Sequence, residues 1–314
     1  MPLRSSIGRL VRPIPQWSAI GFRDPQDKIT VQFSFERSSF DVTYRNTVAS
    51  LAPLTLAIGF GSDTSAGLIT SGTLRFWDRT LGKLLGTLTL SRAAFRMAGV
   101  NNIAFFEIEH GSHNCISWAH RHWDTFLRRR TTAKSRDPHN FAMSSDAIDQ
   151  LMIFYICPRP VVLVSVVDTN QSNIFPMDLI GPLASHDFFS LALRSTSPST
   201  AAMKRCRRVA LASICASDKD VAYELGAHHK KMLFDWSVLP FGIKHSPNFA
   251  LPIPATALRV RELEISDIQD IGSHTFFLGK TVSDSRLSNE LQLFHTSGFH
   301  QHFQKRNGRA FQLA

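Results

Sequence analysis

Hydroxyl side chains and an arginine stand together just before a segment of helical composition. Arg194 precedes Ser195, Thr196 and Ser197, and a proline follows. Ser197 is expected to be the N-cap residue, with the proline at the first helical position. A helix N-terminus offers backbone N–H groups and the positive end of a dipole, so this junction, with Ser199 in the first turn, suits a phosphate. The local sequence alone favours an ordinary capped helix whose arginine faces solvent.

The elements before this junction are predicted to be strands. The run Val161 to Val167 is apolar and β-branched without a helical period, which indicates a buried strand. Turn-forming residues 168–173 follow, and residues 174–180 resume an apolar run, which predicts a hairpin. A third short strand is expected from Phe188 to Leu193.

These segments resemble the flavin reductase-like proteins, which have an FMN-binding split β-barrel. The resemblance is carried by the proline-rich entry at 157–160, by 173–178 (Asn-Ile-Phe-Pro-Met-Asp) and by 194–197 (Arg-Ser-Thr-Ser). A second motif, Gly272-Ser273-His274 followed by an apolar strand that ends at Gly279, is similar to the family's Gly-x-His strand. The resemblance covers roughly residues 148 to 285.

The resemblance implies an FMN site with NADH or NADPH as the hydride donor. A flavin needs donors for its phosphate, an apolar wall and hydrogen bonds for its ring, and an open reactive face. His274 is the candidate for contact with nicotinamide or flavin, although a structural histidine at a strand end is the alternative. The implied cofactor-binding residues are Asn173, Phe175, Met177, Asp178, Arg194, Ser195, Thr196, Ser197, Ser199 and Lys230. Asp178 departs from the small Ser or Thr of the family.

The predicted fold is mainly β with a few helices, a split barrel over residues 141–314 preceded by a β-rich N-terminal domain over residues 1–140. Alternation in 28–35 and 40–44 indicates half-buried strands, and Leu51 to Phe60 reads as one further strand. A charged passage at 121–140 is the candidate linker, and a helix is expected from about Ala147 to Tyr155. Gly111-Ser112-His113 repeats the later Gly-Ser-His tripeptide. Poorly matching flanks favour chance over an internal duplication.

Composition limits the remaining possibilities. The chain has 314 residues, 43% of them hydrophobic, and a formal charge of +10, typical of a globular protein with an excess of basic residues. Anionic nucleotides account for part of that excess, and no nucleic-acid module surrounds the basic clusters. The four cysteines lack zinc spacing, no metal site is expected, and no apolar run reaches the ~18 residues of a membrane span. The N-terminus does not read as a signal peptide, so a cytoplasmic location is expected.

Two functions therefore remain open. The first is an FMN-binding NAD(P)H-dependent flavin reductase, for which the family implies a homodimer and an electron-accepting protein or oxygenase as partner. The second is a non-catalytic flavin- or ligand-binding module whose basic N-terminal half binds an acidic partner or nucleic acid.

Overall fold

The computed structural model describes residues 14–24, 28–61, 66–98, 101–117, 120–121, 123–124, 127, 143–169, 172–183, 185–226 and 235–314. The N-terminal half contains the strands β1 (Trp17–Phe22), β2 (Ile29–Phe35), β3 (Ser38–Asp41), β4 (Asn46–Leu51), β5 (Leu54–Phe60), β6 (Ser71–Asp78), β7 (Lys83–Ala98) and β8 (Asn101–His113). The remaining elements are α1 (Ser145–Phe154), β9 (Arg159–Pro160), β10 (Val162–Val167), β11 (Ser172–Met177), β12 (Ile180–Leu183), β13 (Ser185–Arg194), α2 (Pro198–Cys206), β14 (Arg208–Ser213), α3 (Lys219–Glu224), β15 (Ile243–His245), β16 (Pro252–Pro254), β17 (Arg259–Ile271), β18 (His274–Arg286), β19 (Gln292–Ser297) and α4 (Gly298–Arg306). The predicted mainly β class is confirmed.

Two antiparallel sheets of seven described strands form the body of the molecule. The first sheet has the order β3-β2-β6-β7-β8-β5-β4, and the second, a curled half-barrel, has the order β11-β10-β14-β17-β18-β13-β12. When the seven strands of each sheet are numbered from one to seven in chain order, both sheets have the spatial strand order 2-1-5-6-7-4-3. The first sheet therefore repeats the topology of the second.

The repeat extends to the residue register. In the β7–β8 hairpin Ala98 pairs with Asn101, and in the β17–β18 hairpin Ile271 pairs with His274, a shift of 173 positions. The same shift relates all twelve pairs of the two hairpins, including the bulges after Thr89 and Glu262. Since a one-residue slip turns every side chain to the other face, this agreement fixes which positions are equivalent. The two Gly-Ser-His tripeptides are not equivalent, because one ends β8 and the other begins β18.

The two sheets meet through equivalent strands. β4 and β12 are the third strand of each sheet and contact each other. A Cβ placed on Gly181 would lie 3.7 Å from Cβ of Thr47, its equivalent in the first sheet. Contact between equivalent residues is the mark of a twofold relation. A shared apolar cluster fills this contact, and there the rings of Phe105 and Phe276 meet edge to face at 5.2 Å.

Local predictions are largely confirmed, with one correction. The hairpin is present as β10–β11, the third strand as β13, and the helix near residue 147 as α1, capped by the Ser144 side chain. The predicted single strand from Leu51 to Phe60 is wrong: the chain turns at Ala52-Pro53 and forms β4 and β5, which pair with each other. Apolar residues on both sides obscure this turn, since both strands are almost entirely buried, and Pro53 is its sequence signal. The linker predicted at 121–140 lies almost wholly outside the described residues.

Elements from opposite ends of the chain also pack together. β1 pairs with β19, which pairs in turn with β9, and α1 packs on β7 and β8. The division of the chain after residue 140 stays a prediction. None of the described helices is long and apolar enough to span a bilayer.

Candidate functional site

The polar junction lies at one end of the second sheet. Arg194 ends β13 and pairs with His274, which begins β18. Asn173 lies near the start of β11, and α2 begins at Pro198. Because neighbouring strands of this sheet run antiparallel, the end of β13 and the starts of β11 and β18 fall at the same end. The fold thus brings together residues more than 100 positions apart in the chain.

Hydrogen bonds fix the loop between β13 and α2. Asn173 donates through Nδ2 to Ser199 Oγ at 2.9 Å, both residues being buried. Thr200 donates to the carbonyl oxygen of Arg194 at 2.8 Å. Thr275 contacts the Ser195 hydroxyl at 3.3 Å. The loop is held from β11, α2 and β18, so its backbone is positioned before any ligand binds.

The start of α2 has the predicted chemistry for an anion. Ser197 is the N-cap residue, Pro198 occupies the first turn, and the helix is nine residues long. The Ser197 side chain makes no capping bond to the first turn. Ser195 and Thr196 are exposed, and Arg194 is half-buried. A guanidinium group, two exposed hydroxyls and a helix N-terminus form a donor set that fits a phosphate monoester.

His274 is enclosed by the first sheet. It is 2% exposed, and its Nδ1 atom lies 2.8 Å from Ser273 Oγ and 3.4 Å from the backbone N of Leu51. Burial, and then the charge of Arg194, lowers the pKa of His274 to about 4. The imidazole is therefore neutral at pH 7. In this position it is placed to orient neighbouring groups rather than to carry positive charge.

The turn between β4 and β5 closes over the His274 hairpin. Gly272 has a φ of 52°, and a Cβ at this residue would lie 2.4 Å from the carbonyl oxygen of Ala52. The backbone N of Ser273 donates to that same oxygen at 2.9 Å. The glycine of the Gly-Ser-His motif thus meets two needs, the left-handed backbone conformation and the close approach of the first sheet.

The ring-lining residues implied by the resemblance lie away from this junction. Phe175 is 1% exposed and packs in the core of the second sheet. Met177 is partly buried at the far end of β11. Asp178 lies 2.8 Å from Nδ1 of His295. Burial alone raises the pKa of Asp178, but the hydrogen bond and charge of His295 outweigh it and keep that pKa below its usual value. Lys230 lies outside the described residues.

Sequence reasoning missed residues that support the junction from a distance. Asp270 accepts from Thr275 Oγ1 at 2.5 Å and pairs with Lys204 of α2 at 3.0 Å. Ser50, on β4, lies 3.3 Å from Ser273 Oγ. Asp270 and Thr275 flank the Gly-Ser-His turn and were open to recognition from that motif. Ser50 gives no such signal because it is 223 positions from its partner.

Comparison with known families now bears on this geometry. Residues 154–302, just under half of the chain, match the family model described as flavin reductase like domain. The resemblance predicted from the sequence is thereby confirmed for this part of the chain. No curated protein gives a significant match.

Solved structures with a similar fold include three flavoproteins. The NADH:FAD oxidoreductase of Streptomyces globisporus is 15% identical, with 52% of this chain and 95% of that chain covered and a TM-score of 0.44. The flavin reductase component of a bacterial two-component tryptophan halogenase is 16% identical, with coverage of 49% and 95% and a TM-score of 0.44. An FMN-binding protein of Thermus thermophilus is 20% identical, with coverage of 41% and 71% and a TM-score of 0.36.

Proposed function

We propose that the protein is an FMN-binding oxidoreductase that takes hydride from NADH or NADPH. The observation that carries the proposal is the junction of Arg194, the exposed hydroxyls and the α2 N-terminus, inside the segment that matches the flavin reductase family. The chain's own contribution is binding and orientation. Bound flavin would supply the hydride acceptor, so no nucleophilic side chain is needed.

In this proposal Arg194, Ser195 and Thr196 bind the phosphate, together with backbone N–H groups at the start of α2. Asn173 positions the first turn of the helix through Ser199. His274 is neutral and enclosed, so it acts by holding the β18 end of the junction in place. Its contact with nicotinamide or flavin stays a prediction, as do the roles of Phe175, Met177, Asp178 and Lys230.

Other properties implied by the family also stay predictions. These are the homodimer, the electron-accepting protein or oxygenase partner, and the cytoplasmic location. The non-catalytic binding module remains the second function, and the experiment below separates it from the first.

An absorption spectrum of the purified protein, after incubation with FMN and removal of the free flavin, tests the proposal. We expect flavin bands that bleach on anaerobic addition of NADH or NADPH. Bands that persist with both donors would leave the non-catalytic binding module. A colourless protein would refute the flavin site.

Substitutions locate the site. We expect Arg194→Ala to weaken FMN binding by ~1.5–3 kcal/mol, the value of a charged hydrogen bond. Arg205→Ala is the matched control, since Arg205 lies in the last turn of α2 and pairs with Asp168. The predicted contact of His274 with nicotinamide implies slower flavin reduction in stopped-flow traces of His274→Ala, with FMN still bound. Weaker FMN binding with normal reduction of the bound flavin would instead assign His274 to positioning the junction. Equal FMN affinity of the two arginine variants would remove Arg194 from the phosphate site.

A further inference from the structure

An open cleft of about 370 Å³ separates the two sheets at the end of the second sheet opposite α2. Its volume falls within the ~300–1,000 Å³ typical of ligand pockets. The second sheet lines it from the paired positions Val162, Ser213 and Arg259 and from Arg261 and Asp284. None of the residues predicted to bind flavin lines this cleft. It is a separate feature of the fold.

The equivalent region of the first sheet lacks the charged residues of this wall. The 173-position shift places Gly86, Leu88 and Gly111 where the second sheet has Arg259, Arg261 and Asp284. Helix α1 covers the first-sheet residues. A Cβ on Gly86 would lie 3.0 Å from Ile153 Cγ2, and one on Gly111 would lie 2.9 Å from Ile153 Cδ1. In the first sheet the wall is thus apolar and closed.

At a fourth position, too, the first sheet has an apolar residue packed near α1 where the second sheet lines the cleft. Ser213 lines the cleft, and its equivalent in the first sheet is Phe76, because each pairs with the equivalent residues Arg259 and Gly86. Phe76 is fully buried and meets Phe154, at the end of α1, edge to face at 6.4 Å. The topology therefore tolerates a large ring at this position. The small hydroxyl of Ser213 leaves space in the second sheet that the first sheet fills.

The cleft carries an excess of positive charge. Its lining includes four arginines (Arg23, Arg159, Arg259, Arg261) and two aspartates (Asp24, Asp284), a net charge of +2. Asp284 is shared by Arg259, at 2.5 Å, and Arg261, at 2.8 Å, so this group of three keeps one positive charge. Each guanidinium has five N–H donors, and one carboxylate cannot occupy those of two arginines.

Arg159 adds a second charge that no described carboxylate neutralises at contact distance. It is 5% exposed, and its Nη atoms donate to the backbone oxygen of Asn46, at 2.8 Å, and to the Asn46 side chain. Its Nε atom is buried and meets no described acceptor. The charge of Asp178 acts on Arg159 without forming an ion pair with it. A buried charge without an ion-paired partner is costly, and an anion in the adjacent cleft would reduce that cost.

The remaining walls are apolar and aromatic. Phe189 and Phe294 line the cleft together with Val162 and Ile180, and the guanidinium of Arg261 lies 3.8 Å from the ring centroid of Phe189. We propose that this cleft binds an organic dianion that carries an aromatic or apolar body. Arg23, Arg259 and Arg261 donate to the anionic group, Arg159 supplies further positive charge, and the two phenylalanines contact the body.

The proposal does not depend on flavin binding, because the cleft and the α2 junction occupy opposite ends of the second sheet. Val162 and Arg259 begin β10 and β17, whereas Arg194 ends β13, which runs in the same direction. Arg194→Ala is therefore expected to leave ligand binding in the cleft unchanged. This allows failure of either proposal to be told apart from failure of the other.

Calorimetric titration of the full chain with phenyl phosphate tests the proposal. The titrations are made in the Arg194→Ala background, because the α2 junction also fits a phosphate monoester and would add a second binding event in the parent. Phenyl phosphate combines an aromatic ring with a group that is mostly dianionic above pH 7. Inorganic phosphate supplies the charge without the ring, and benzyl alcohol supplies the ring without the charge. We expect phenyl phosphate to bind about tenfold or more tightly than either comparison compound, since each loses one kind of contact. Absence of phenyl phosphate binding, or equal affinity for inorganic phosphate, would overturn the proposal.

Two variants assign binding to the cleft. Arg261→Gln is expected to weaken phenyl phosphate binding about tenfold, the loss of one charged hydrogen bond. Arg75→Gln is the control, because Arg75 lies on the first sheet and donates to Ser34 at 2.7 Å. Ser213→Phe introduces the first-sheet residue, removes no charge and fills the cleft, so it should abolish binding. Unchanged affinity in Ser213→Phe, or in a folded Arg261→Gln, would place the ligand elsewhere and refute the assignment.

Discussion

Replacing Glu262 with glutamine should loosen the segment that most distinguishes the second sheet from the first. The connection from β14 to β17 spans 214–258, whereas its first-sheet equivalent, between β6 and β7, spans 79–82. Glu262 is fully buried on β17 and accepts hydrogen bonds from Ser246 at 2.6 Å, from the backbone N of Phe249 at 2.7 Å and from Nδ2 of Asn248 at 2.7 Å. Ser283 on β18 donates to the same carboxylate at 2.6 Å. One side chain thus ties the long connection to the sheet.

Two independent arguments give the loss of unfolding free energy expected for Glu262→Gln. A glutamine of the same shape presents an NH₂ group where Glu262 presents an acceptor, so at least one or two charged hydrogen bonds are lost, each ~1.5–3 kcal/mol. Independently, burial raises the pKa of Glu262, but the hydrogen bonds from Ser246, Ser283 and Phe249 outweigh it and bring the pKa down to about 2. Against an ordinary value of 4.5, that shift corresponds to ~3 kcal/mol, or ~2 kcal/mol after screening beneath a surface loop. We expect Glu262→Gln to lower the unfolding free energy by ~2–3 kcal/mol at pH 7.

Urea denaturation followed by tryptophan fluorescence measures this loss. Glu264→Gln, two residues along the same strand and exposed, is the control and should stay within ~0.5 kcal/mol of the parent. Because the folded pKa is depressed, the contribution of Glu262 is present above pH 4.5 and disappears as the pH falls towards 2. The gap between parent and variant should therefore close in acid. Identical urea midpoints for the Glu262 and Glu264 variants at pH 7 would refute the reasoning.

Two further predictions concern stability. Burial lowers the pKa of His300 to about 3, so this histidine stays neutral in the folded state while it takes up a proton below pH 6.5 in the unfolded chain. Urea midpoints should therefore fall as the pH drops from 6.5 towards 3, and His300→Gln should flatten that dependence. An equally steep pH profile in the variant would count against this role of His300. Gly111→Ala should destabilise the fold by ~1–3 kcal/mol, because the new methyl group meets Ile153 of α1. Gly61→Ala is the control, since a Cβ at Gly61 has no atom within 4 Å. Equal melting temperatures of the two variants would mean that α1 does not pack closely over Gly111.

Much of the second sheet could be predicted because short stretches of sequence specify its turns and the start of α2. The Asp168-to-Asn173 turn between two apolar runs specifies the β10–β11 hairpin, and Ser197-Pro198 specifies the start of α2. The same local view joined Leu51 of β4 to β5, because Pro53 was taken as part of one apolar run rather than as the turn signal that a proline gives there. It also passed over Arg259 and Arg261. Their alternation with Val260 is typical of a solvated strand face, and only the approach of Arg23, just after β1, and Asn46, on β4, turns that face into the wall of a cleft.

The relation between the halves was beyond sequence comparison for a physical reason. Equivalent positions share register and burial rather than residue type: Phe40 corresponds to Phe175, but Ser38 corresponds to Asn173, and Gly86 to Arg259. A sheet needs alternating burial and matching bulges, and many sequences satisfy both. The Gly-Ser-His coincidence offered a sequence signal for a repeat that is real, yet at positions that are not equivalent.

Because the two sheets share a topology, residues that differ at equivalent positions can be assigned to the candidate sites rather than to the fold. Where the second sheet has Arg194 at the end of β13, the first sheet continues from Phe60 to Gly61, and where the second has His274 the first has Asn101. The first sheet therefore retains the strand order while lacking the arginine and the histidine of the junction. Its turn at Ala52 closes over His274, and Asn46, at the start of β4, helps to line the cleft. The first sheet thus helps to enclose both candidate sites of the second sheet.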